Sequence, residues 1–325
     1  MLIFRTYYCF LLLLWLFSAA TYAEIWYTGP LLVSPAETAP KNHLNLQLYL
    51  LNPIMNQAYL SNWSTINTQQ GKSTLYNPQF FYGLTDIMDI EASMLYQINR
   101  FTNTEAASFG DTFVALGFQV LSQQTSFVDL RLTLGEVFPT GRYNHLDPQF
   151  YGSQATGFGS YQTNIAFNFL KLMHLQHQLI NGYFSFTYQC PSTVPLDGIS
   201  VYGGTPSTHG IMNPGSILTL DVATEWFLSQ NWAWVFEGFF DYQQANSFHG
   251  NDDPAHHQHH PLFPRRSLHI KRTLGNGNFD QFSLAPAIEY NGGKNLGVIA
   301  GVWFSIAGKN APVFVTPMIE LNVTW

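Results

Sequence analysis

Of 325 residues, only 10% are charged and 16% are aromatic, with two cysteines and a formal charge of −7. A soluble domain carries about 25% charged residues, and no stretch beyond the N-terminus approaches the roughly 18 apolar residues of a membrane helix. The chain therefore either encloses a very large core or gives alternate side chains to lipid. Twenty acids against thirteen bases provide no basic surface, so no nucleic-acid partner is expected.

The first element is a leader. One early charge at Arg5, an apolar run from Cys9 to Phe17 and small residues up to Ala23 have the layout of a cleaved signal peptide, residues 1–23. Cys9 precedes the apolar run instead of closing it, which argues against lipidation. Cleavage leaves Cys190 alone, so no intramolecular disulfide is expected in an oxidising compartment. Residues 24–42 are expected as an N-terminal periplasmic segment and residues 43–325 as the folded body.

Alternating apolar and polar residues bounded by turn residues predict about twelve strands: near 43–52, 74–84, 87–98, 110–122, 126–138, 158–170, 175–189, 214–228, 231–243, 279–290, 294–306 and 312–325. Their lengths match the 9 to 11 or more residues of a tilted transmembrane strand. Short connections follow the second, fourth, sixth, eighth and tenth ("TD", "QQT", "KLMH", "SQN", "NGGK"). Those after the first, third, fifth, seventh and ninth run from about 10 to over 30 residues, the asymmetry of an outer-membrane barrel with periplasmic turns and external loops. Pro78, Pro286 and Pro317 fall inside strands, where bulges are expected.

The faces divide by parity. One carries Val114, Leu116, Phe118, Leu130, Leu132, Leu134, Ile165, Phe167, Leu218 and Leu220; the other carries Asp89, Glu91, Asp129, Arg131, Asp221, Glu225, Glu237, Asp241, Glu289 and Glu320. Aromatic residues of the apolar parity gather at strand ends: Tyr82, Trp226, Trp232, Tyr290 and Trp325 at the short-turn end; Tyr96, Phe138, Tyr161, Tyr188 and Tyr242 at the other. Two such girdles put the apolar face in lipid. Trp325, closing the alternating strand "PMIELNVTW", is expected to act as the assembly signal read by the barrel-assembly machinery. The expected fold is an all-β, up-and-down transmembrane barrel of about twelve antiparallel strands in the outer membrane, in contact with its lipid and lipopolysaccharide.

The stretches "GDTFVALGFQV", "LRLTLGEVFPTGRYNHL", "ATGFGSYQTNIAF" and "FSLAPAIEYNGGKNLGVIAG" resemble the phenol-degradation MetA-pathway family of outer-membrane proteins. The residues that carry the likeness are Gly110, Asp111, Phe138, Pro139, Thr140, Gly141, Gly157, Gly159 and Pro286. The resemblance implies passage of hydrophobic substrates across the outer membrane, with no catalytic residues and no cofactor. It does not extend to 190–278.

The inward acids have two readings: they line a pore that tolerates cations or neutral solutes, or they pair with Arg131 and tyrosines as a polar filling of the wall. "HGNDDPAHHQHHP" (249–261) places His256, His257, His259 and His260 in the longest external loop, a candidate metal site without a defined zinc spacing. G-x-S-x-G is absent, and no enzymatic activity is expected. The functional expectation is a channel for small hydrophobic or aromatic solutes, with loops 190–213 and 244–278 gating the mouth. The alternative is a non-transporting surface protein displaying the histidine-rich, metal-binding loop.

Overall fold

The computed structural model describes residues 28–175, 178–252, 274, 277–293 and 295–325. In chain order the first strands are β1 (Leu44–Leu51), β2 (Ile54–Tyr59), β3 (Thr65–Thr85), β4 (Met88–Phe101), β5 (Thr104–Leu121) and β6 (Asp129–Phe138). They are followed by β7 (Gln162–Leu175), β8 (Gln178–Pro191), β9 (Val194–Asp197), β10 (His209–Asn213) and β11 (Ile217–Phe227). The last are β12 (Trp232–Gln243), β13 (Ser247–Asn251), β14 (Phe279–Gly293), β15 (Leu296–Lys309) and β16 (Pro312–Thr324).

β1 and β2 lie end to end between β3 and β16, interrupted at Asn52 and Pro53, and so form one wall strand. The wall is thus twelve antiparallel strands, each paired with its neighbours in chain order. Closure comes from β1 and β16, in register at Leu46↔Val323 and Leu48↔Leu321. At the seam's end Leu44 N donates to Trp325 O at 2.9 Å and Trp325 N donates to Leu44 O at 3.0 Å. Closure leaves no strand edge unpaired, which a wall in hydrocarbon requires. β9, β10 and β13 make a separate three-stranded sheet at the long-loop end.

β12 shows which face meets lipid. Trp232, Trp234 and Phe236 are exposed while Ala233, Val235 and Glu237 are buried. A water-soluble sheet would hide its tryptophans before its glutamate; here the exposed face is aromatic. The outer face continues with Leu116, Leu134, Phe184, Val222, Leu284 and Ile319, all exposed. Its ends carry packed aromatic pairs, Trp232 with Tyr290 at 4.8 Å and Phe138 with Tyr161 at 6.0 Å between ring centroids. This is the apolar band and girdle pattern of an outer-membrane barrel, and the chain is an outer-membrane β-barrel.

Several local expectations change. The connections expected as long loops after the first and third wall strands are strand extensions, turning at 60–64 and at Thr102–Asn103. The turn expected at 171–174 falls later, because β7 runs on to Leu175. No register shift falls at the three prolines. Pro78 pairs with Leu48 of β1 and Pro286 with Phe236 of β12, while the ladder on each residue's other side skips the proline, whose missing N–H would have faced it. A bulge lies instead at Gly110 and Asp111, which together oppose Leu95. Beyond it the side chains of β5 exchange faces, so that Phe109 and Glu105 point outward.

Candidate functional site

The inner face of the wall carries all ten acidic and basic residues singled out from the sequence, nine of them buried. They do not act as one ring. On the β4–β6 side, Arg131 is fully buried and its Nη2 donates to Asp89 Oδ1 at 2.8 Å and Glu91 Oε2 at 3.3 Å. Its Nη1 reaches Thr133 Oγ1 at 3.0 Å, and the guanidinium stands 5.8 Å from the Phe81 ring centroid. In this group one guanidinium serves two carboxylates. Asp129, at the short-turn end, accepts from the backbone N–H of Gln123 at 2.8 Å and from the Gln123 side chain.

On the opposite side no cation pairs with the acids among the described residues. Glu225 accepts from Tyr183 Oη at 2.7 Å and Asn181 Nδ2 at 2.8 Å, and Asp241 accepts from Thr219 Oγ1 at 2.7 Å. Asp221 and Glu320 are buried on the same wall. The remaining two, Glu237 and Glu289, face a segment of the chain's own backbone.

Residues 28–40, part of the stretch expected as a periplasmic segment, run inside the barrel. The segment leaves the wall at Gly83, where Lys41 bridges Gly83 and Asn42 N donates to Gly83 O at 2.8 Å. A Cβ on Gly83 would lie 2.0 Å from Pro40 O, so only glycine admits this crossing. Ala39 N then donates to Asp89 Oδ2 at 2.9 Å and Thr38 N to Gln119 Oε1 at 2.8 Å. Val33 and Ala36 pack on inward Leu170, Tyr183 and Ala223. At the far wall Glu237 accepts from three successive N–H groups, those of Leu31, Leu32 and Val33, the last two at 3.1 Å to Oε2. Thr28 N donates to Glu289 Oε1 at 2.6 Å. Irregular backbone cannot satisfy its own N–H groups, and the inward acids and Gln119 supply acceptors along its path.

Leu31 is fully buried among Val235, Phe239, Ala285, Ile299 and Met318, all inward residues of β12, β14, β15 and β16. This apolar stripe continues into an aromatic cluster, Phe239 with Trp303 at 5.9 Å and Trp303 with Phe314 at 4.7 Å. Trp303 Nε1 is satisfied by Ser283 Oγ at 2.9 Å. Sequence reasoning followed the charges of this parity and passed over its aromatics, although Phe239 is two residues from Glu237.

At the long-loop end the loop after β6 is tied to the wall. Asp111, in the bulge, accepts from Gly141 N at 2.9 Å and Phe158 N at 2.8 Å, clamping both ends of the loop after β6. Gly157 passes so close that a Cβ would lie 2.3 Å from Asp111 Oδ1. Thr140 Oγ1 donates to Gly110 O at 2.9 Å. Three of the four stretches that carry the family resemblance thus meet in one clamp. Above it Val194, Leu196, Met212 and Leu274 pack with Tyr143, Tyr202 and Phe248 as the core of the β9–β10–β13 cap. Tyr202 Oη donates to Phe158 O at 2.8 Å; burial pushes this phenol up, so it keeps the proton it donates.

Cys190 is exposed on the outer face. Glu136 is among the charges on the outer face, where its Oε2 accepts from Thr163 Oγ1 at 2.8 Å. A cavity of about 600 Å³ opens there, lined by Leu116, Leu134, Phe138, Ile165 and Tyr188. His256, His257, His259 and His260 lie outside the described residues. Among the described residues there is no cluster of three or more metal-ligating side chains.

No family model matches the chain, and no curated protein matches it. Solved structures do. The COG4313 outer membrane channel from Pseudomonas putida F1 aligns with a TM-score of 0.66 at 13% identity, covering 90% of this chain and 100% of that one. The NanC porin aligns at 0.43 with 8% identity, covering 85% of this chain and 98% of that one. The Pseudomonas putida toluene transporter TodX aligns at 0.39 with 7% identity, covering 88% and 90%. The first likeness spans nearly the whole of both chains and establishes a shared β-barrel fold.

Proposed function

We propose that this barrel passes small hydrophobic or aromatic solutes across the outer membrane, along the inner wall formed by β12, β14, β15 and β16. The observation that carries the reading is the inward aromatic cluster Phe239–Trp303–Phe314 standing above an apolar patch that Leu31 covers. A water-filled porin keeps a polar interior; an apolar stripe in a lumen is a surface on which a solute with a hydrophobic face can partition. The likeness in fold to an outer membrane channel, and the resemblance to a family tied to phenol degradation, support the same direction.

The test is flux into proteoliposomes of a phenol-sized aromatic against a polar solute of equal size, with Trp303 emission followed as the difference between wild type and Trp303→Phe. Preferential aromatic flux with quenching of Trp303 is the expected result. A folded barrel that passes neither solute and shows no quenching would refute the proposal and favour a surface protein displaying its external loop. Replacing Glu225 and Glu237 by Gln in a planar bilayer separates the contribution of the acids, since an acid-lined path loses cation preference in that variant.

A further inference from the structure

The lipid-facing surface of β3 and β4 carries a charge arrangement that the channel reading does not use. Going up β3 from Tyr82 in the short-turn girdle, the outward residues are Phe80, Pro78, Tyr76 and Thr74, and the first charge is Lys72. Going up β4 from Ile90 they are Ala92, Met94, Tyr96 and Ile98, and the first charge is Arg100. Lys72 and Arg100 are direct cross-strand partners. About ten residues at about 3.3 Å each, tilted by about 40°, place the pair some 25 Å above Tyr82, at the top of the apolar band. Tyr76, Tyr96 and Phe109 lie just below, with Tyr96 and Phe109 packed edge to face at 5.1 Å.

Two like charges directly opposite each other oppose strand pairing, and among the described residues this is the one place where two cations stand side by side. Glu105 takes Arg100 Nε at 2.6 Å and Thr74 Oγ1 takes Nη1 at 3.3 Å, which orients the guanidinium and leaves Nη2 uncommitted. Lys72 makes no ion pair among the described residues. We propose that Lys72 and Arg100 form a binding site for a phosphate of the outer-leaflet glycolipid, lipid A, whose acyl chains lie along Tyr76, Tyr96 and Phe109. Two cations from adjacent strands bracket the phosphate, with a planar guanidinium held in place by its own carboxylate. The site depends on the membrane disposition of the barrel and is independent of whether the lumen conducts.

The test uses the full-length protein in detergent, titrated with bis-phosphorylated lipid A, with its dephosphorylated form and with inorganic phosphate. Lys72→Ala and Arg100→Ala are each expected to weaken lipid A binding about fivefold, and the double variant more than tenfold. Glu105→Gln, whose amide oxygen can still accept from Arg100 Nε while the competing negative charge is gone, is expected to tighten it; this opposite change separates charge recognition from damage to the wall. Equal affinity in the double variant, or equal binding of dephosphorylated lipid, overturns the proposal. Saturation by inorganic phosphate at the affinity of lipid A overturns the membrane source.

Discussion

Glu237→Ala should release the segment that crosses the lumen. In the folded chain this one carboxylate accepts from the N–H groups of Leu31, Leu32 and Val33. A hydrogen bond to a charged acceptor contributes about 1.5–3 kcal/mol. Water entering the vacated space recovers part of three such bonds, leaving a net loss of about 3–5 kcal/mol. Burial of Leu31 remains, at about 2 kcal/mol. A loss of about 3 kcal/mol changes the ratio of docked to undocked segment by about a hundredfold or more. The assay is the rate of maleimide labelling at Leu32→Cys in a Cys190→Ser background, with conductance measured on the same preparations. Labelling should accelerate by about two orders of magnitude and open-channel events should lengthen, while the barrel keeps its heat-modifiable mobility. Unchanged labelling in a folded Glu237→Ala barrel would refute the idea that this carboxylate holds the segment.

Arg131→Met strands Asp89 and Glu91 as buried charges without their cation and should destabilise the barrel by about 3–5 kcal/mol in urea unfolding, whereas adding Asp89→Asn and Glu91→Gln should restore most of it. Asp111→Ala removes the acceptor of both Gly141 and Phe158 N–H, worth about 3 kcal/mol of loop closure, and should open residues 139–161 to protease without lowering the unfolding midpoint of the wall. Deleting Trp325 removes both hydrogen bonds to Leu44 at the closing seam and should slow appearance of the heat-modifiable form; unchanged folding would count against its role as the assembly signal.

Much of the wall was legible in the sequence because a strand in a bilayer has a strict code. With period two and one face in lipid, each residue of β12 or β16 declares its side, so the alternation of Trp232, Trp234 and Phe236 with Ala233, Val235 and Glu237 located both the band and the inward acids. Turn residues between alternating runs set the strand count, whereas the strand extensions that turn at 60–64 and at 102–103 differ from loops only in pairing, which composition does not encode.

Tertiary structure decided everything that depends on what lies across the lumen. "GPLLVSPAETAPK" has no period, so nothing local marks it as a lumen segment; its place is set by distant acceptors at Asp89, Gln119, Glu237 and Glu289 and by the space above Gly83. The bulge at Gly110 and Asp111 exchanges the faces of upper β5, and a parity count cannot detect a single inserted residue until the partner strand is present. Whether an inward acid lines a path or fills a wall is likewise a matter of its neighbours: Asp89 and Glu91 meet Arg131, while Glu237, of identical parity, meets backbone. Alternation determines which side a residue faces, and only closure of the wall determines what it faces there.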